Sequence, residues 1–318
     1  MKTKWMLGIF AFAAAVSVIA SETDGFTNRQ SSLEDSSVII NEYTNKYVAQ
    51  ALNDLNQAQA SCNEEALYKE LRKYFANHMN GILVKDILNN VDIPKRPVVM
   101  SESVYSDWSA WDGLGMGVTF IARSGITISP ILNFNNVIIG ADKFEHFFGQ
   151  GFAYFTANYL KKKGTTKAIK GGVVREKIFL GGNKIGNGVF SYGDLSANFN
   201  GMRFWNHILQ KHDDVMGVEH NLGPYIECEK NKWVQVKKID FTDYIDSSMD
   251  ESINCSKFPS GSTVEKFKNS VAEMGLTCPV DKAKLDEMVV KYGPLSKWII
   301  NQNGNDVIHY FGEFKNKK

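Results

Sequence analysis

The stretch from Asp142 to Lys163 constrains the fold more than any other. Phe144, Phe147, Phe148, Gly151, Phe152 and Phe155 recur at three- and four-residue intervals. That spacing places side chains on one face of an α-helix. A helix with so much aromatic surface on one side needs a partner face of similar size to cover it. Lys161 to Lys163 suit the negative end of the helix macrodipole, and Gly164 suits a left-handed cap. The rest of the chain supplies a partner: 43% of its 318 residues are hydrophobic and 12% aromatic, enough for a substantial core and against wholesale disorder. The 36 basic and 35 acidic side chains leave a net charge of +1, which gives no electrostatic reason to expect a nucleic-acid partner.

Further helices are expected on both sides. Tyr43, Tyr47, Val48, Ala51, Leu52 and Leu55 recur at helical spacing. Asn63, followed by Glu64 and Glu65, reads as an N-cap with an acidic first turn. It opens a helix whose apolar face is Leu67, Leu71, Tyr74, Phe75, Ile82 and Leu83, and Pro94 and Pro97 stop helical structure. Thr166 is placed to cap a helix through Phe179. Gly171 and Gly172 weaken its propensity by about 1 kcal/mol each and point to close helix–helix approach. Ser191 opens a helix to about Lys211, and Asp281 to Tyr292 reads as an amphipathic C-terminal helix.

Extended structure is the minor component. Thr119 to Ile128 and Ile131 to Ile139 are short and β-branched, and Trp233 to Val236 alternates like a strand. Gly113, Gly115 and Gly117 lack the strand–turn–helix setting and acidic ribose partner of a dinucleotide site. Gly181, Gly182, Gly186 and Gly188 read as a loop or hairpin. Ser21 to Ser37 reads as polar and loose. Asp240, Asp243, Asp246, Asp250 and Glu251 form an acidic run without the ligand spacing of an EF-hand, and read as a solvated face. The expected fold class is mainly α with minor β: a helical core with glycine-rich links and a disulfide-stapled C-terminal region. The expected division is 1–20, 21–97 (N-terminal helices), 98–222 (central core) and 223–318 (C-terminal extension packed on the core).

Residues 1–20 read as a secretory signal. Lys2 and Lys4 precede the apolar run Trp5 to Val16, and Val18-Ile19-Ala20 places small residues for cleavage after Ala20. Beyond residue 20 no apolar run is long enough to cross a membrane. The expected location is periplasmic or secreted, with no stable membrane span after processing. Cys62, Cys228, Cys255 and Cys278 are an even set, which in an exported chain favours two disulfides over metal ligation. Three pairings are open. Cys228 and Cys255 flank a strand-like segment, which favours Cys228–Cys255 with Cys62–Cys278.

The chemistry-bearing residues lie between Asp142 and Gly201. Asp142 and His146 are one helical turn apart, with Glu145 beside them, and Asp194 and Asn198 repeat that spacing. If the two helix starts face each other, the cluster positions an acid and a base at the edge of an aromatic core. Metal ligation through His146 is open but not favoured. A structural role is also open. Asp142-x-x-Glu145 and Ser191-x-x-Asp194 have the form of capping boxes, and a lone His in an aromatic helix is commonly a hydrogen-bonded core residue. Glu176 lies ahead of the glycine-rich link leading to Asp194. A helical Glu followed by a second carboxylate resembles the arrangement in lysozyme-like glycosidases, which need one protonated and one ionised carboxyl. The favoured reading of Arg175-Glu176-Lys177 is a solvated helix surface. Gly-x-Ser-x-Gly and His-Glu-x-x-His are absent from the sequence, which argues against common serine hydrolases and zinc proteases.

Asp142-Lys143-x-x-His146-Phe147, followed by Ser191-x-x-Asp194-x-x-Ala197-Asn198-x-x-Gly201, resembles the paired motifs of the VanZ-like and YfiM-like envelope proteins. Glu176 falls where those families carry a Glu between the motifs. VanZ-like proteins span the membrane, so this chain looks nearer to the soluble YfiM-like group, with large extensions on both sides. The resemblance covers about sixty residues. It implies an envelope role, points to Asp142, Lys143, His146, Glu176, Asp194 and Asn198, and supplies no substrate.

The expected function is therefore an exported envelope hydrolase acting on a wall glycan or other envelope polymer by carboxylate acid–base chemistry. Glu176, Asp194, His146, Asp142 and Glu145 are its candidate catalytic residues. Lys143, Ser191, Asn198 and Tyr154 are the candidate binding or structural ones. No cofactor is expected, and the partner is an envelope polymer or envelope protein. The alternative is a non-catalytic binding or scaffold protein whose Asp/His/Asn cluster only fixes helix packing.

Overall fold

The computed structural model describes residues 22–58, 61–76, 81–113, 127–178, 181–184 and 186–309. Its helices and two small sheets match the mainly α class with minor β. Among the described residues no helix is long and apolar enough to cross a membrane.

Helix α1 (Ser37–Gln57) is followed by α2 (Glu64–Tyr74), capped by the Asn63 side chain, which accepts from the Ala66 amide. The expected single face from Leu67 to Leu83 is two helices: α2 ends at Tyr74 and α3 (Ile82–Asn89) starts after Gly81. Strand β1 (Arg96–Val99), which begins after Pro94 and contains Pro97, pairs antiparallel with β2 (Thr127–Phe134), which pairs with β3 (Val137–Gly140). Asn135 and Asn136 join β2 to β3 at φ 49° and 67°, the left-handed pair that a tight hairpin turn requires. Residues 114–126, including most of the expected Thr119–Ile128 strand, lie outside the described residues.

Helix α4 spans 142–160. It alternates α turns (Asp142–Glu145, Gly151–Phe155) with π turns (His146–Gln150, Thr156–Leu160). It stops before Lys161–Lys163, and Gly164 takes φ +85°. Helix α5 (Thr165–Ile178) already contains Thr166, which is therefore not its cap, and α6 (Tyr192–His207) ends four residues short of Lys211. Of the two glycines on α5, Gly172 packs against the Tyr154 ring, whereas a Cβ on Gly171 would meet open space. A second hairpin, β4 (Ile226–Glu229) and β5 (Lys232–Gln235), precedes α7 (Gly261–Glu273), α8 (Lys282–Tyr292), capped by Asp281, and α9 (Ser296–Ile299).

The partner of the aromatic face on α4 is α6. Phe147 meets Phe204, Phe241 and Tyr244, and Phe148 meets Phe204 and Phe241, with ring centroids 5.4 to 5.8 Å apart, within the range at which aromatic pairs attract. The two backbones nearly touch: a Cβ on Gly201 would lie 1.9 Å from the Phe147 carbonyl oxygen. Only glycine permits that crossing. The Trp205 indole donates to the Phe148 carbonyl at 3.0 Å, inside the π turn. The main apolar core draws on residues from Ile40 to Ile308.

Two expectations about the periphery are overturned. Residues 22–36 are not loose. Glu22, Thr23 and Asp24 are buried, the Ser129 amide donates to the Glu22 carbonyl, and the Tyr105 hydroxyl donates to the Thr23 carbonyl at 2.9 Å. The disulfides are Cys62–Cys228 and Cys255–Cys278, not Cys228–Cys255 and Cys62–Cys278. Strand β5 docks on α1, where Asn56 bonds the Trp233 backbone on both sides, and this carries Cys228 to the start of α2. The segment after the hairpin then crosses into the core and takes Cys255 away from Cys228. It meets the Cys278 loop, where the Val280 amide donates to the Ser252 carbonyl at 2.9 Å.

Candidate functional site

The crossing of α4 and α6 brings the first turns of the two helices together. Ser191 is the N-cap of α6, its hydroxyl accepting from the Asp194 amide at 3.0 Å. The Asp194 carboxylate does not complete a capping box; it turns to α4. Asp142 does not cap α4 either. Its Oδ1 accepts from the Thr23 and Ser129 hydroxyls, and its own amide donates to Ser129 Oγ. The capping reading therefore holds for Ser191 and fails for Asp142.

Lys143 lies at the centre. Its buried ammonium donates to Asp142 Oδ2 at 2.6 Å, Asp194 Oδ1 at 2.7 Å and Glu251 Oε1 at 2.5 Å. An ammonium has three N–H groups, and each has a carboxylate. Burial opposes the charged form, but the three carboxylates outweigh it and hold Lys143 well above the usual lysine range. Glu251 also accepts from the Ser191 hydroxyl at 2.6 Å. Burial, partly offset by Lys143 and reinforced by Asp194 and Asp142, pushes its carboxyl up to about 7. The acidic run is thus not a solvated face throughout: Asp240 and Asp243 are exposed, whereas Asp250 and Glu251 are buried.

Asp194 joins this knot to a second group. Its Oδ2 lies 3.1 Å from His146 Nε2, and His146 Nδ1 lies 3.2 Å from Asn198 Oδ1. Burial would raise the Asp194 carboxyl, but the His146 and Lys143 charges and the hydrogen bonds from Lys143 and Ser191 hold it below the ordinary value.

Glu176 completes the group. It comes from α5 and is fully buried, and Lys177 beside it is buried too, so the solvated-surface reading of Arg175-Glu176-Lys177 is wrong at both residues. A Glu176 oxygen, a His146 ring nitrogen and an Asp194 oxygen lie within 4.8 Å of one another. Neither Glu176 oxygen has a hydrogen-bond partner among the described residues. The Gly181 amide acts on the carboxylate from outside full hydrogen-bond geometry. Burial, and next the Asp194 charge, push the Glu176 carboxyl well above its ordinary value. Tyr154 reaches the same region, its buried hydroxyl also outside hydrogen-bond geometry; burial raises it, and Asn198 lowers it as a weak donor.

The structure thus brings together Asp142, Lys143, His146, Glu176, Ser191, Asp194 and Asn198. Glu145 lines a cavity of about 580 Å³ with Ser129, Pro130, Lys95, Pro97 and Asp142, which touches the cluster at Asp142. Sequence reasoning missed Glu22, Thr23, Ser129 and Glu251. Glu22 accepts from the Asn187 amide at 3.0 Å. Burial, with the Asp194, Glu251 and Glu176 charges, drives its carboxyl well above the ordinary value. Nothing in the spacing of residues 22–24 marks them, because they belong to no periodic element.

Comparison with family models, curated proteins and solved structures finds no match to this chain.

Proposed function

We propose that the protein is an exported hydrolase of a wall glycan or another envelope polymer, with Glu176 and Asp194 as its working carboxyl groups. The observation that carries this reading is the contrast between two adjacent carboxyls. Glu176 is buried without a hydrogen-bond partner among the described residues, whereas Asp194 is held by Lys143 and Ser191 and faces His146. Bond hydrolysis by paired carboxyls needs such an inequality, one group neutral and one ionised. Glu176 gives its proton to the leaving oxygen as the bond to it breaks. Asp194, steadied by His146, takes a proton from the entering water, and exchange with solvent restores both. Asn198 orients His146 through Nδ1, and Lys143 fixes Asp194 from the other side.

Two disulfides support export, since such bonds persist in oxidising compartments, and so does the signal-like sequence of residues 1–20. Because Glu176 is buried, the reading requires the centre to open to substrate. The fully satisfied Lys143 side favours the scaffold alternative, since an ammonium with three carboxylates has no capacity left for a ligand. The test is incubation of the mature chain with a panel of envelope polymers, with products followed by mass spectrometry. Hydrolysis that disappears in Glu176→Gln and in Asp194→Asn, with folding retained, is the expected result. Intact polymers throughout, or products unchanged in both variants, leave the scaffold.

A further inference from the structure

Five carboxyl groups, those of Glu22, Asp142, Glu176, Asp194 and Glu251, are buried around α4 and α6, and Lys143 donates to three of them. Two triads of metal-ligand type share Asp194: Asp142–Asp194–Glu251 and His146–Glu176–Asp194. The first is satisfied by the Lys143 ammonium, which donates to all three members. In the second, Glu176 is fully buried with both oxygens unpartnered, aimed at the His146 nitrogen and the Asp194 oxygen. A buried carboxylate without a donor or counter-charge is among the costlier arrangements a fold can hold.

We propose that His146, Glu176 and Asp194 bind a divalent transition-metal cation. His146 Nδ1 faces Asn198 Oδ1 at 3.2 Å, which leaves Nε2 as the ring nitrogen turned toward the carboxylates. Nε2 lies 3.1 Å from Asp194 Oδ2, a spacing that a cation shared between the two atoms satisfies. Donor atoms around a tetrahedral metal with bonds of about 2.1 Å are ~3.4 Å apart, close to this spacing. Asn198 is then the outer partner that fixes the ring, as metal-bound histidines commonly have. One imidazole and two carboxylates suit zinc or manganese better than calcium or magnesium, which prefer all-oxygen sites.

The inference rests on the reading of this centre as functional and gives Glu176 a different part in it. With a cation bound, Glu176 is a ligand instead of a proton donor, and the metal supplies an activated water. The test is equilibrium dialysis of chelator-stripped protein against zinc or manganese, with metal counted by elemental analysis. One equivalent per chain is expected in the wild type. Affinity should fall more than about tenfold in Glu176→Gln and in His146→Gln and be unchanged in the surface variant Glu287→Gln. Glu176→Gln removes no hydrogen bond, so its fold should survive, as circular dichroism will report. The wild-type thermal midpoint should rise by roughly 5 °C at a hundredfold excess over Kd, and that of Glu176→Gln should not. No bound equivalent, or binding unaltered in both variants, overturns the site. Hydrolysis that persists in chelator would overturn the metal role and leave the carboxylate reading standing. Stoichiometric binding without hydrolysis of any polymer supports the site and removes the hydrolase instead.

Discussion

Lys143 and Asp194 form the joint between the two central helices: the ammonium, second residue of α4, lies 2.7 Å from an Asp194 oxygen in the first turn of α6. Both side chains are buried. The pair links the sequence motif to the fold, because Lys143 also holds Asp142 and Glu251, and Asp194 also holds His146.

Replacing Lys143 by Met should cost about 3–5 kcal/mol, since three carboxylates then share a buried site without their cation. In the variant their folded pKa values rise above the unfolded ones, so the deficit is largest at neutral pH. It should narrow toward pH 4 as the carboxylates take protons. Denaturant melts of both proteins at the two pH values measure this.

Glu176→Gln should not destabilise the chelator-treated protein. The Glu176 carboxyl is raised by burial and by Asp194 and Glu251, against Lys143, with Glu22 and His146 also facing it. A raised carboxyl contributes stability below its unfolded value of about 4.3, lost as pH rises toward the folded value. The variant's thermal midpoint should therefore equal the wild type's near pH 4 and exceed it near pH 8. A lower midpoint at both would mean that Glu176 has a stabilising partner.

The second polar knot predicts the acid limb. Arg203 Nε donates to Asp214 at 2.8 Å, and His207 Nε2 approaches the same carboxylate at 2.9 Å, off the hydrogen-bond axis. Burial would raise Asp214, but His207 and Arg203 hold it below its ordinary value. A depressed carboxyl contributes stability above the unfolded value of about 3.9, lost as pH falls through the folded one. Asp214→Asn should be less stable at pH 7 and show a flatter loss below pH 4 in acid titrations followed by circular dichroism.

Non-reducing peptide mapping should find Cys62 joined to Cys228 and Cys255 joined to Cys278. Loop-closure entropy grows with the enclosed length, and the two sequence separations are 166 and 23. Removing either bond should cost about 2–5 kcal/mol, the Cys62–Cys228 bond more.

Gly201→Ala should cost about 3 kcal/mol or more, because the added Cβ meets backbone at 1.9 Å and neither helix can yield without moving the aromatic cluster. A thermal midpoint within 1 °C of wild type would remove this account of the crossing.

Much of the architecture was legible in the order of residues. The faces of α1 and α4 and the caps of α2 and α6 follow from local rules, because periodicity and capping act within a few residues, whereas the extended run Ile131 to Ile139 folds back at Asn135 and Asn136 into β2 and β3. The convergence of Asp142, His146, Asp194 and Asn198 was legible too, once two helix starts of matching spacing were set against one aromatic core. Glu176 was visible only as a carboxylate between the motifs, since Arg175 and Lys177 beside it gave the look of a surface.

The sequence by itself determined which segments become helices, where α6 begins, and that a large apolar face must pair with another. Only the tertiary structure decided what that pairing encloses. Glu22 and Thr23 are folded into the site, and Glu251 reaches Lys143 across a long stretch of chain. The disulfide partners follow the docking of β5 on α1, and Glu176 turns inward beside Asp194. These are long-range outcomes. A buried charge is tolerated only where some distant residue supplies its partner, and no local pattern records which residue that is.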